Sequence, residues 1–391
     1  HAVRGAGVQV YLGESQGETA LIPFSLPAHL AIDTISAEEI TIFSDQKAMW
    51  RITTGQLTNL SYQGNTLGFD DLVLKSRESV LRAKGQLQTD NEYPLHWTLE
   101  AQVQPNGYQP IAARGTLTGP LNRLILDAQL SSPFPSQLNG RLDNLLGAKT
   151  TWEARLKTPA AALPDIHRQW PDQRFSDVSI DGRGTLDAYS LSMHAKTMWA
   201  ASRESVTVAA AIEGALDQLR IHALHLTQSR ESLTLQGRLG WHPHLAWHAT
   251  MEGAHLDPSR VWENWPGDVS FQLATEGERH GTDVKAPFLL PKLQGTLRQF
   301  PLTGKVEAHV DGNQVHIPDV LLASAHSTLR LQGKIENTVD LSVELHSGNL
   351  REIWPQARGS VDLRGRLSGQ QDKPELSLQL AGARIGFENT S

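Results

Sequence analysis

The sequence predicts an all-β fold: a long, strongly curled antiparallel sheet, a taco-like groove built from hairpin repeats. Three observations predict it. Apolar and polar residues alternate at i, i+2 through most of the chain. The 32 glycines and 20 prolines interrupt nearly every window long enough for a helix. One pattern also recurs at intervals of about 96 residues. In residues 233–277 a strand ends at Gly237, a second strand follows, Trp265-Pro266 closes a short segment, and a third strand ends at Gly277. Residues 329–365 repeat this with Gly333, Trp354-Pro355 and Gly365, and Gly140, Trp152, Trp170-Pro171 and Gly182 give an earlier copy.

Taken in order, residues 1–47 read as two or three leading strands with Pro-marked ends at Pro23 and Pro27, and residues 48–135 as a first meander. Residues 136–232, 233–328 and 329–391 then form three repeats, the last truncated, all in one continuous groove. Before each Trp-Pro lies the one helical signal. Asp257 suits an N-cap and Pro258 the first helical position, which predicts two turns of helix ending at Pro266; a 3₁₀ turn whose Trp plugs the sheet is the alternative.

An alternating strand has one face to bury, and no long amphipathic helix is present to cover it. The sheet must therefore close as a barrel, pair as a sandwich, or curl into a trough. Repeats that add strands to a growing edge favour the trough, which at roughly 25 strands would run on the order of 120 Å. Its wall begins with Leu95, Trp97 and Leu99, then Leu124, Leu126 and Leu130. It continues through Leu233, Leu235 and Leu239, then Trp247 and Met251, then Val269, Phe271 and Leu273. Val306, Val310, Val315 and Ile317 follow, with Leu329, Leu331 and Ile335. Leu341, Val343 and Leu345, then Val361 and Leu363, then Leu376, Leu378 and Leu380 complete it. A continuous apolar groove of this length suits phospholipid acyl chains better than a compact metabolite. Packing on the inner face explains Trp97, Trp152 and Trp247, and contact with acyl chains is compatible with it.

Chemistry-bearing motifs are sparse. The net charge of -7, from interspersed acids and bases, gives no footprint for nucleic acid. With no cysteine there is no disulfide or thiolate metal site. GESQG, residues 13–17, fits the nucleophile-elbow spacing around Ser15, but two prolines follow where the elbow needs a helix, so it reads as a turn. His242, His244 and His248 lie close in sequence, yet His248 falls roughly 13 Å from His244 along a strand, too far for one tetrahedral zinc. They read as solvated outer-face histidines. Asp70 and Asp71 read as a strand start, Glu38 and Glu39 as a turn, and neither pair has a partner histidine for acid-base work. The expectation is no enzyme, no cofactor and no metal.

The meander LPAHLAIDTISAEEITI, the run WRITTGQLTNLSYQGNTLGFDDLVLKS, the hairpin GTLTGPLNRL, the segment LDPSRVWENWPGDVSFQLATEG and the stretch KLQGTLRQFPLTGKVEAHVDGNQVHI resemble the TamB family, within the AsmA-like repeating β-groove proteins. The resemblance implies a periplasmic protein anchored in the inner membrane through an N-terminal helix that reaches a TamA-like outer-membrane partner. The first residue is His1 and no apolar run is long enough to span a bilayer, so these residues read as a fragment whose anchor and docking domain lie elsewhere. The expected function is movement of phospholipids between the two membranes without covalent chemistry. A scaffold for outer-membrane protein (autotransporter) assembly, using open strand edges, is the alternative. A segment of an outer-membrane barrel also fits the alternation, but aromatics are only 6% and form no girdles.

Overall fold

A computed structural model describes residues 2–12, 23, 25, 29–44, 47–90, 92–145, 149–185, 187–198 and 204–387. The chain divides into two compact units, His1–Met198 and Trp199–Ser391. Both are built almost wholly of strands.

In the first unit β1 (Ala2–Ala6) and β2 (Gln9–Leu12) lie along β3 (Leu30–Ser44). The meander then continues through β4 (Lys47–Gln63), β5 (Thr66–Lys75), β6 (Ser79–Gln88), β7 (Leu95–Val103), β8 (Ile111–Gly119), β9 (Arg123–Ser132), β10 (Ser136–Asp143), β11 (Thr151–Ala162), β12 (Arg174–Gly184) and β13 (Ala188–Met198). Each strand from β3 onward pairs antiparallel with the next. β1 and β2 differ: both run parallel to β3, with Ala2 opposite Thr34 and Gln9 opposite Thr41. Alternation within residues 1–47 signals strands but not this direction, because a parallel pairing needs a long crossover that leaves no local trace.

The second unit is one meander. It comprises β14 (Ser205–Ala215), β15 (Gln218–Gln228), β16 (Glu231–Gly240), β17 (Leu245–Leu256), β18 (Gly267–His280), β19 (Asp283–Leu297), β20 (Phe300–Asp311), β21 (Gln314–Ala323), β22 (Ser327–Ile335), β23 (Thr338–Ser347), β24 (Ala357–Gln370) and β25 (Lys373–Phe387). Every consecutive pair is antiparallel.

Bulges keep the apolar side chains on one face where strict alternation would lose them. Between β15 and β16 the register slips from Ile221 to Leu224, and between β5 and β6 from Phe69 to Leu72. The slip from Gly253 to Leu256 in β17 and from Ile317 to Val320 in β21 follows the same i, i+3 rule. Asp70 and Asp71 are thus the bulge inside β5 rather than a strand start, and Asp70 accepts from Asn59 Nδ2 at 2.8 Å. Glu38 and Glu39 also lie within a strand, β3, where Glu39 takes a φ of 53°.

The segments before Trp-Pro are shorter than two helical turns. They are a four-residue helix, α1 (Leu163–Ile166), and two 3₁₀ turns, Pro258–Arg260 and Leu350–Glu352. These inserts follow β11, β17 and β23, one for every six strands. Asp257 caps the second as expected, accepting from Ser259 N at 3.0 Å, but it also accepts from Gly267 N at 3.1 Å. That second bond closes the loop before another helical turn can form. No described helix is long and apolar enough to cross a membrane.

Little of this chain is deeply buried. The buried apolar residues are scattered along the strands, with Tyr62, Leu95, Leu124, Val178, Val208, Val269 and Val361 among them.

Candidate functional site: the apolar face

The register fixes which side chains share a face, since residues directly opposite in a strand pair point the same way. In the second unit Trp247 lies between Leu239 on β16 and Gly277 on β18. Following the pairs outward from this row, through the bulges, gathers every predicted wall residue from Leu233 to Leu380 on one face. In the first unit Trp97 opposes Leu117, which opposes Leu126, and the same tracing joins Leu95, Leu99, Leu124 and Leu130 to it.

The two faces of the second unit differ sharply in chemistry. Along β23, Leu341, Val343 and Leu345 are half-buried while Ser342, Glu344 and His346 between them are exposed. Among the described residues each strand of this unit hydrogen-bonds only to its neighbours in sequence order. On the polar face, ion pairs run from strand to strand. Arg366 meets Asp340 at 3.0 Å, and the Lys305 ammonium, hydrogen-bonded to Asp319, holds that carboxyl below the usual range. On the last strand, β25, the apolar face is open: Leu376, Leu378 and Leu380 are 63%, 54% and 64% exposed.

The glycines that punctuate the sequence are not strand ends. Gly140, Gly182, Gly237, Gly277, Gly333 and Gly365 all lie inside strands. They sit on the apolar face, where they make room for large neighbours. A Cβ on Gly277 would meet the Trp247 ring and the Lys285 carbonyl oxygen, each at 2.5 Å. On Gly182 it would meet the Trp152 ring at 2.9 Å, and Trp152 Nε1 donates to Thr185 O at 2.9 Å. Each indole therefore lies over a cross-strand glycine, spreading a flat apolar surface where two side chains could not fit.

One rim of the second unit is fastened by its inserts. The Arg298 guanidinium lies 3.9 Å from the centre of the Trp265 ring in the first insert and donates from Nη2 to Glu352 O and Ile353 O of the second, at 2.7 and 2.8 Å. Burial lowers its pKa from the ordinary arginine value. Trp265 does not plug the sheet: it is 37% exposed, and Trp262 and Trp354 are more so. Burial alone would raise the Glu352 carboxyl, but the His326 N–H and ring and the hydroxyls of Ser327 and Ser324 outweigh it and hold the group below the ordinary range.

Other candidate groups do not converge as the sequence grouped them. The Ser15 motif lies outside the described residues. His244 and His248 point to different carboxylates, Glu278 at 3.5 Å and Glu276 at 3.6 Å. The anchoring contacts of the inserts, through Glu231, Arg298, His326 and Glu352, were missed by sequence reasoning, because no local pattern marks them.

The family described as TamB, N-terminal domain, matches residues 13–391. Translocation and assembly module subunit TamB of Haemophilus influenzae is 22% identical over 381 residues, covering 93% of this chain. The chain spans 29% of that relative's length. No solved structure matches. The chain belongs to the TamB family, within its N-terminal domain.

Proposed function

We propose that this TamB-family segment is part of a periplasm-spanning bridge that moves phospholipids between the inner and outer membranes, acyl chains against the apolar face and head groups in water. The single observation behind this reading is the apolar face itself, half-buried along each unit and backed by a charged face. An acyl chain in water costs about 0.8 kcal/mol per CH₂. A lining of Leu, Val and Trp offsets much of that cost over successive strands, so a lipid can advance by small steps. Such transfer makes and breaks no covalent bond, and the protein acts without a cofactor. In the full-length protein the route would run from an inner-membrane anchor to a TamA-like outer-membrane partner.

A second reading, an assembly scaffold for outer-membrane proteins, is favoured by the name of the relative this chain resembles, a translocation and assembly module subunit. An open strand edge can template another strand. Photo-crosslinkers at Val343 and Leu363 separate the two. Phospholipid in the adduct, identified by mass spectrometry, supports conduction; capture of protein clients alone would sink it. Val343→Asp tests the face in cells, because a charge there has no partner. It should abolish lipid transfer while leaving the melting temperature within a few degrees, and normal transfer would show that acyl chains do not pass over β23.

A further inference from the structure

We infer that His244, Glu278 and His280 form a binding site for a divalent late transition metal of the zinc class, on the polar face of the second unit. His244 immediately precedes β17, and Glu278 and His280 close β18. The register pairs Leu245 with Arg279 and Ala246 with Glu278, which brings His244 beside His280 across the strand pair. The ring centroids are 4.2 Å apart with planes at 33°, and both Nε2 atoms approach the same oxygen, Glu278 Oε2, at 3.5 and 3.4 Å. One ligand atom from each residue lies within 4.8 Å of the others.

These distances discriminate between two uses of the cluster. Good N–H···O⁻ hydrogen bonds run at about 2.7–2.9 Å, so both contacts are too long to be a well-made ion pair. Two imidazolium rings this close would also repel each other. With zinc–nitrogen and zinc–oxygen bonds of about 2.0–2.2 Å, the edges of a tetrahedral site are about 3.3–3.5 Å, which is the spacing the two Nε2 atoms keep from Oε2. Neutral imidazoles next to one carboxylate are a donor set for zinc, nickel or copper rather than for magnesium or calcium, which take oxygen. Ala246 faces Glu278 with only a methyl group, leaving room for water at the open position. The adjacent Lys285 directs its ammonium to Asp311, at 3.8 Å. Bound metal would staple β17 to β18 next to their loop ends.

Untagged chain titrated with ZnCl₂, with MgCl₂ as control, tests the site by calorimetry. One zinc per chain and no magnesium response are expected. His244→Ala, His280→Ala and Glu278→Gln should each weaken zinc binding by at least about ten-fold, and zinc should raise the melting temperature of the parent but not of His280→Ala. His248→Ala, on the same face but paired with Glu276, should bind as the parent does. The three ligands are solvent-accessible side chains at strand ends, and circular dichroism verifies that each variant folds. Zinc affinity unchanged in His280→Ala, no zinc binding by the parent, or loss in His248→Ala alone would overturn the site.

Discussion

The inserts after β17 and β23 occupy equivalent places six strands apart, yet they are anchored by opposite charges. In the first, Arg260 of the insert reaches back to Glu231 at the start of β16, 2.9 Å away. In the second, Glu352 reaches back to His326, just before β22, at 2.8 Å. Both contacts tie an insert to the turn that opens the strand two before it. What the repeat keeps is the contact, a polar latch from insert to turn, while the residue types exchange roles. The latches also differ in depth. The Glu352 side chain is 1% exposed, whereas Arg260 and Glu231 are 29% and 15% exposed.

The largest effect should come from the deeper latch. Glu352→Ala strands the His326 N–H, removes an acceptor from the Ser324 and Ser327 hydroxyls and should cost about 3 kcal/mol, read from urea unfolding of the chain. Arg260→Ala, with more water around it, should cost about 1 kcal/mol. Equal losses would show that burial does not separate the two latches.

The glycines of the same two strand pairs give a second, smaller contrast. Gly277→Ala drives a Cβ against the Lys285 carbonyl oxygen and the Trp247 ring, both at 2.5 Å, and should cost about 2 kcal/mol. Gly365→Ala meets first the Leu378 Cδ2, at 2.9 Å, the end of a side chain that can turn away. It should cost under about 1 kcal/mol. Reversal of this order would mean that Trp247 does not rest on Gly277.

The smallest effect is a pH dependence confined to the deeper latch. Because the folded state lowers the Glu352 pKa from 4.5, its contribution is fully present above that value and is lost as pH falls through the folded pKa. Glu352→Gln should therefore be less stable than the parent near pH 6 and flatten the loss of stability in acid. A parallel acid profile for the two proteins would remove Glu352 as its source.

Much of the architecture was legible because alternation is a local signal. Leu341, Val343 and Leu345 fall on one face whatever the partner strands do, and the register then extends that face from strand to strand. The glycines misled because Gly is both a breaker and a vacancy. Gly277 is followed by a turn signal four residues on, but its role is set by Trp247, thirty residues earlier in sequence and opposite in space. The bulges were misread for a related reason. Asp70 and Asp71 look like a boundary, although Phe69 and Leu72 on either side continue one face. The latches and the His244 cluster were not legible at all, because each joins residues from different strands through a register that no single stretch encodes.

The bulges have a consequence for how such a chain can change over time. In a strand of period two, inserting or deleting one residue exchanges the inside and outside of everything that follows until the next turn. An extra residue at Asp70-Asp71, His222-Ala223 or Ala254-His255 is instead absorbed where the frame has already slipped. Single-residue insertions and deletions should thus accumulate at these positions among relatives. That would let strand lengths drift while the apolar face of each unit stays in phase.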